Sequence, residues 1–117
     1  MKRFAMLAMA LAIIASVAQP AAAQGDFDSA NNVVPGCREF LLQTFKEPLT
    51  SGFCLGMVTA YLSMAPGMYQ YCIPAGVTPV QGMRVALAFI DRNTARTHER
   101  FAVLVIAAFH EAWPCHT

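Results

Sequence analysis

Four cysteines, Cys37, Cys54, Cys72 and Cys115, carry the most legible chemistry in this 117-residue chain. Their separations are 17, 18 and 43 residues, with no C-x-x-C pair. Such spacing lacks the close ligand pairs of a zinc site or a dithiol redox motif. An even number of cysteines in a short exported chain reads instead as two structural bridges. His110 and His116 flank the last cysteine, but a histidine on a terminal helix and another in a tail suit solvent better than a metal. Nucleophilic catalysis needs a thiolate or hydroxyl beside a base. The thiols are consumed in bridges, Ser63 has no G-x-S-x-G setting, and the seven acids are scattered. Glu99 and Glu111 read as solvated helix positions. No catalytic residue, cofactor or metal is expected, and the chain does not read as an enzyme.

The export assignment comes from the first 23 residues. Lys2 and Arg3 make a positive start, Phe4 to Val17 is apolar but for Ser16, and Ala21-Ala22-Ala23 offers small residues ahead of Gln24. This is the layout of a cleaved secretory signal, too short for a permanent membrane span. Its removal leaves 94 residues, about half of them apolar, with six Lys+Arg against seven Asp+Glu. A near-neutral chain without a basic cluster excludes nucleic acid as the partner. The apolar content excludes disorder, and the length allows one core but not two domains. Stable membrane insertion is not expected of the mature chain.

The elements that must hold the cysteines are helical throughout. Residues 24–36 are polar and turn-rich and read as a flexible leader, with the helical domain spanning 37–117. A short helix is expected from Cys37 to Lys46, with Phe40, Leu41 and Phe45 on one side and Pro48 ending it. Thr50 or Ser51 can cap a second helix over about Gly52 to Met64, where Cys54, Met57, Val58, Tyr61 and Leu62 recur at helical spacing. Gly56, unfavourable inside a helix, marks a close approach by another backbone. Pro66 to Val77 is a loop with two prolines, two glycines and two tyrosines.

Thr78, Pro79 and Gln81 then form a capping-box signature with proline at the first helical position. Val80, Met83, Leu87 and Ile90 define the apolar side of that third helix, and Asp91 to Thr94 a polar turn. The last helix runs from about Thr97 to Trp113 before Pro114. Its Phe101–Phe109 stretch is apolar on every side, as expected of a central helix or of a subunit interface that would make a homodimer. The fold class is all-α: a small, disulfide-stapled four-helix bundle-like domain.

Packing the third and fourth helices as a hairpin makes Cys72–Cys115 easy to build, leaving Cys37–Cys54. The second bridge fits less well, because cysteines starting two antiparallel helices stand well beyond the ~7 Å Cα limit. The alternative, Cys37–Cys72 with Cys54–Cys115, therefore stays open. On the surface, a disulfide-anchored loop displaying Met68, Tyr69 and Tyr71 is a candidate partner-binding element, since Tyr suits interfaces and a tethered loop loses little entropy on docking. Arg92 and Arg96, in the polar turn with Asn93, Thr94 and His98, are the polar candidates. Trp113 reads as a plug beside the last bridge.

The C-terminal half resembles the Rap/Tai family in Cys72-Ile73-Pro74, Gly76-Val77-Thr78 with Gln81, and Ala112-Trp113-Pro114-Cys115. Cys54-Leu55-Gly56 matches the Cys-x-Gly of the family's second helix. The 17-residue gap between the first two cysteines and Met57 after Gly56 depart from the pattern. The resemblance covers roughly Cys37 to Cys115 and implies an exported, periplasmic, all-helical protein with two disulfides. It further implies an immunity protein that binds and blocks a peptidoglycan amidase effector of type VI secretion, performing no chemistry itself. A free-standing periplasmic helper, chaperone-like or adaptor-like, with no toxin partner is the alternative.

Overall fold

The computed structural model describes residues 27–116, so the expected signal lies outside the described residues. Among the described residues the chain forms four α-helices: α1 (Ala30–Leu42), α2 (Pro48–Leu62), α3 (Pro79–Arg92) and α4 (Phe101–Ala112). A 3₁₀ turn, Thr94–Arg96, joins α3 to α4, and the remaining pairing is limited to the isolated bridges Ser29–Arg100 and Tyr71–Pro114.

The first helix begins seven residues before Cys37, so Ala30 to Gly36 is helix and not a loose leader. Ser29, a residue type favoured at helix starts, holds the cap position but makes no side-chain capping bond, and Pro35 inside the helix argues against the start, at a cost of about 3 kcal/mol. The start is fixed from across the fold. The Ala30 and Asn31 amides donate to the carbonyls of Glu99 and Thr97, both at 2.9 Å, and the Phe101 amide donates to the Asp28 carbonyl at 2.7 Å. Arg100 adds an ion pair to Asp28. The first two bonds satisfy amides that the head of α1 leaves open, the other two contacts tie Asp28 to the head of α4, and Ala30, Val33, Gly36 and Cys37 are buried.

α1 also stops earlier than Lys46. Gln43 takes a left-handed φ of 57° and donates to the Phe40 carbonyl, while Thr44 donates to that of Glu39. This is the double closure that usually has glycine at its turning residue. α2 starts at Pro48 with Glu47 as its cap residue, so Pro48 opens this helix, and neither Thr50 nor Ser51 caps it. A Glu39 carboxylate oxygen accepts the Glu47 amide at 2.7 Å, tying the two helices across their connector.

The close helix crossing lies at Gly36, not at Gly56. A Cβ on Gly36 would stand 2.4 Å from the Thr50 carbonyl carbon and 2.6 Å from the Ser51 nitrogen, whereas one on Gly56 would meet nothing within 4 Å. At this crossing Cys37 and Cys54 are fully buried and bridged, Cα to Cα 5.4 Å. The expected pairing is therefore the one present. Its apparent difficulty disappears because both cysteines lie well inside their helices rather than at the starts.

α3 follows the sequence reading: the Thr78 hydroxyl accepts the Gln81 amide at 3.1 Å, with Pro79 first in the helix. Met83, Leu87 and Ile90 are buried and Val80 is half-buried. α4 begins at Phe101, later than Thr97, because the 3₁₀ turn and the strand-like bridge at Arg100 take up the preceding residues. Although apolar all round, α4 buries one stripe, Phe101, Leu104, Val105, Ala108 and Phe109, and leaves Val103 exposed.

Candidate functional site

The Pro66–Val77 loop is built as a rigid tip on two anchors. Its turn closes on itself, with the Gly67 amide donating to the Tyr71 carbonyl and the Gln70 amide to the Gly67 carbonyl. Gly67 (φ 79°) and Gln70 (φ 61°) take the left-handed conformations that this closure requires, at some strain for Gln70. The second anchor is covalent. Cys72 is bridged to Cys115, Cα to Cα 4.9 Å, and its amide donates to the Trp113 carbonyl at 2.8 Å.

The three residues expected to present the tip divide into two roles. Met68 and Tyr69 are 58% and 38% exposed, as a contact surface requires. Tyr71 is only 2% exposed and is not a surface residue. Its ring packs edge-on against Phe109 and stacks with Tyr69, and its hydroxyl donates to the Tyr61 carbonyl at 2.7 Å. Adjacent tyrosines two apart in a loop give no hint of which one faces inward; the bridge at Cys72 decides it, by pulling Tyr71 onto α4.

Burial pushes the Tyr71 phenol up to about 12, and the neighbouring Tyr61 and Tyr69 add to the shift. A raised folded-state value means that the fold favours the neutral phenol. Its contribution to stability is therefore complete below pH 10 and is lost as pH rises toward 12. The melting temperature should fall across that window. Tyr71→Phe should start about 1 kcal/mol less stable for the missing hydrogen bond and lack this part of the alkaline decline. Parallel alkaline slopes for the two proteins would exclude the assignment.

Arg92 and Arg96 are already engaged by the chain's own acids. Arg92 pairs with Glu111 at 2.7 Å, and Arg96 pairs with Glu99 at 2.6 Å while lying over the Phe89 ring. Such exposed pairs are worth up to about 1 kcal/mol and can be exchanged for a partner's carboxylates. Among the described residues no hydrogen bond, ion pair or ring contact joins either arginine to Met68 or Tyr69, so the structure does not merge the two candidate patches. All four cysteines are bridged, and among the described residues no group of three His, Cys, Asp or Glu could hold a metal. Trp113 is half-buried against Phe109.

A second surface was not legible in the sequence. Around the α1–α2 connection Leu42 at the end of α1 (74%), Phe45 in the connector (50%) and Leu49 at the start of α2 (69%) are each exposed. Read as helix to Lys46, the segment places Phe45 on the packed side. The left-handed turn at Gln43 redirects it, and only the spacing of three large apolar residues around Lys46, Glu47 and Pro48 hints at the patch.

The family model of the Rap1a immunity proteins matches residues 29–115, about three quarters of the chain and the whole of the bundle with both bridges. No curated protein and no solved structure matches it.

Proposed function

The chain belongs to the Rap1a immunity proteins, and from that premise we propose that it is an exported, periplasmic inhibitor of a peptidoglycan amidase delivered by type VI secretion. The family implies an immunity role exercised by binding a protein effector. The observation that carries the reading is the coincidence of the family match with the doubly bridged helical domain. Two disulfides with no thiol left over suit an oxidising compartment, and no helix of the described residues is long and apolar enough to cross a membrane. The signal read over residues 1–23 would supply the export.

The inhibitor acts by occlusion and performs no chemistry of its own. The Pro66–Val77 tip enters the enzyme's cleft, led by Met68 and Tyr69, while Tyr71 and the Cys72–Cys115 bridge hold its shape. Because the tip is already ordered, docking costs little further conformational entropy. Arg92 and Arg96 offer a polar flank once released from Glu111 and Glu99. Self-association through exposed Val103 on α4 completes the reading as a homodimer; monomer alone in sedimentation at micromolar concentration would remove that element.

The test is a pull-down of the tagged mature protein from the periplasm, followed by binding to the purified amidase. A stoichiometric papain-like amidase is expected, and Tyr69→Ala should weaken its binding by at least about tenfold without altering the melting temperature. Recovery of the folded, bridged protein alone would favour the free-standing helper instead.

A further inference from the structure

We propose that a groove between the α1–α2 connector and the head of α3 is a second contact site for the same effector. It takes an apolar side chain of the effector with a carboxylate beside it. This inference rests on the immunity reading above and adds a surface to it.

The groove encloses about 260 Å³, walled by Phe40, Leu41, Phe45 and Val80, with Gln43 and Arg84 at its lip. That is below the roughly 300–1,000 Å³ of small-molecule pockets and suits a protein side chain better than a free ligand. The wall is fixed in advance. Phe45 has a left-handed φ of 47°, unusual for a bulky residue, and its ring is held edge-on by Phe40 at 5.9 Å. The Glu39 carboxylate holds the far end of the connector through the Glu47 amide. The fold thus keeps an aromatic ring half-exposed at a conformational cost, and Leu42 and Leu49, three residues before it and four after it, are exposed as well. An apolar group of this kind marks an interaction surface.

Charge identifies what the surface takes. Arg38, Arg92, Arg96 and Arg100 are each paired with an acid of this chain. Arg84, on the groove, is the one described arginine without an ion pair. Lys46 lies on the connector itself and likewise has no ion pair among the described residues. A guanidinium without an acid partner, lining a groove with Phe40, Leu41, Phe45 and Val80, fits a carboxylate in two-pronged geometry. The effector is taken as the occupant because the groove begins where the proposed docking loop ends: Val80, in its wall, lies three residues after Val77, the loop's last residue.

The experiment measures binding of the purified amidase recovered in the pull-down to the mature, doubly bridged protein and to two variants. Arg84→Glu reverses the open charge, and Phe45→Gly removes the ring while relaxing its backbone. Each is expected to weaken binding by about 30-fold or more, with the melting temperature and both disulfides retained. Reversal of one acidic residue on the amidase to lysine should restore binding to Arg84→Glu. Tight binding by wild type and by both variants alike would overturn the groove and leave the immunity reading standing. Failure of wild type itself to bind the amidase would overturn both. A wild-type dimer that Arg84→Glu dissociates, with amidase affinity unchanged, would assign the groove to a second copy and overturn the proposal.

Discussion

Replacing Cys72 and Cys115 with alanine is expected to lower the stability of the mature domain by about 4 kcal/mol. The bridge closes a 43-residue segment that holds α3, the 3₁₀ turn and α4. In the chain-entropy account the gain grows with the logarithm of the closed loop, giving about 4 kcal/mol here and about 3 kcal/mol for the 17-residue Cys37–Cys54 loop. A small domain has roughly 5–15 kcal/mol in all, so this one change removes a large share. It also frees the tip, because Cys72 and the Trp113 carbonyl it bonds to anchor the loop on α4. Denaturant unfolding of the oxidised protein and the double variant measures the difference. Coincident unfolding curves would show that α3 and α4 hold the tip without the bridge.

Gly36→Ala should cost about 3 kcal/mol, at the upper end of overpacking effects, although alanine is ordinarily the better helix former. The added Cβ would meet Thr50 and Ser51 backbone atoms at 2.4–2.6 Å, and backbone cannot turn aside as a side chain can. α1 and α2 must separate, one residue away from the buried Cys37–Cys54 bridge that holds them together. Gly56→Ala is the control: its Cβ points into open space, so it should stabilise by about 0.5–1 kcal/mol. Equal effects of the two substitutions in thermal unfolding would mean that the helices do not cross at Gly36.

This contrast shows where the sequence is readable. Both glycines sit inside helices, but the sequence places Gly36 in a leader and reads close approach only at Gly56; which one meets a backbone depends on the crossing point, a tertiary fact. The head of α3 was legible because its cap is local: Thr78, Pro79 and Gln81 contain the whole signal. The head of α1 was not, because its amides are satisfied by Thr97 and Glu99, nearly 70 residues on. Packing α3 against α4 pointed to the pairing that is present, and its difficulty came from starting both α1 and α2 too late, which set Cys37 and Cys54 at helix starts. At the candidate site, the turn residues and Cys72 revealed an anchored loop, but not that Tyr71 faces inward while Tyr69 faces out. The connector patch was hidden by the same cause as the end of α1, a left-handed turn made by Gln43 where glycine would have announced it.

The proposed function is inhibition of a peptidoglycan amidase by a preformed surface. The most direct measurement is titration of the purified amidase, hydrolysing peptidoglycan, with the mature protein carrying both disulfides. Activity is expected to fall in proportion to added protein, to vanish at a fixed ratio, and to fall less with Tyr69→Ala. Full activity in the presence of a large excess of the folded protein would contradict it.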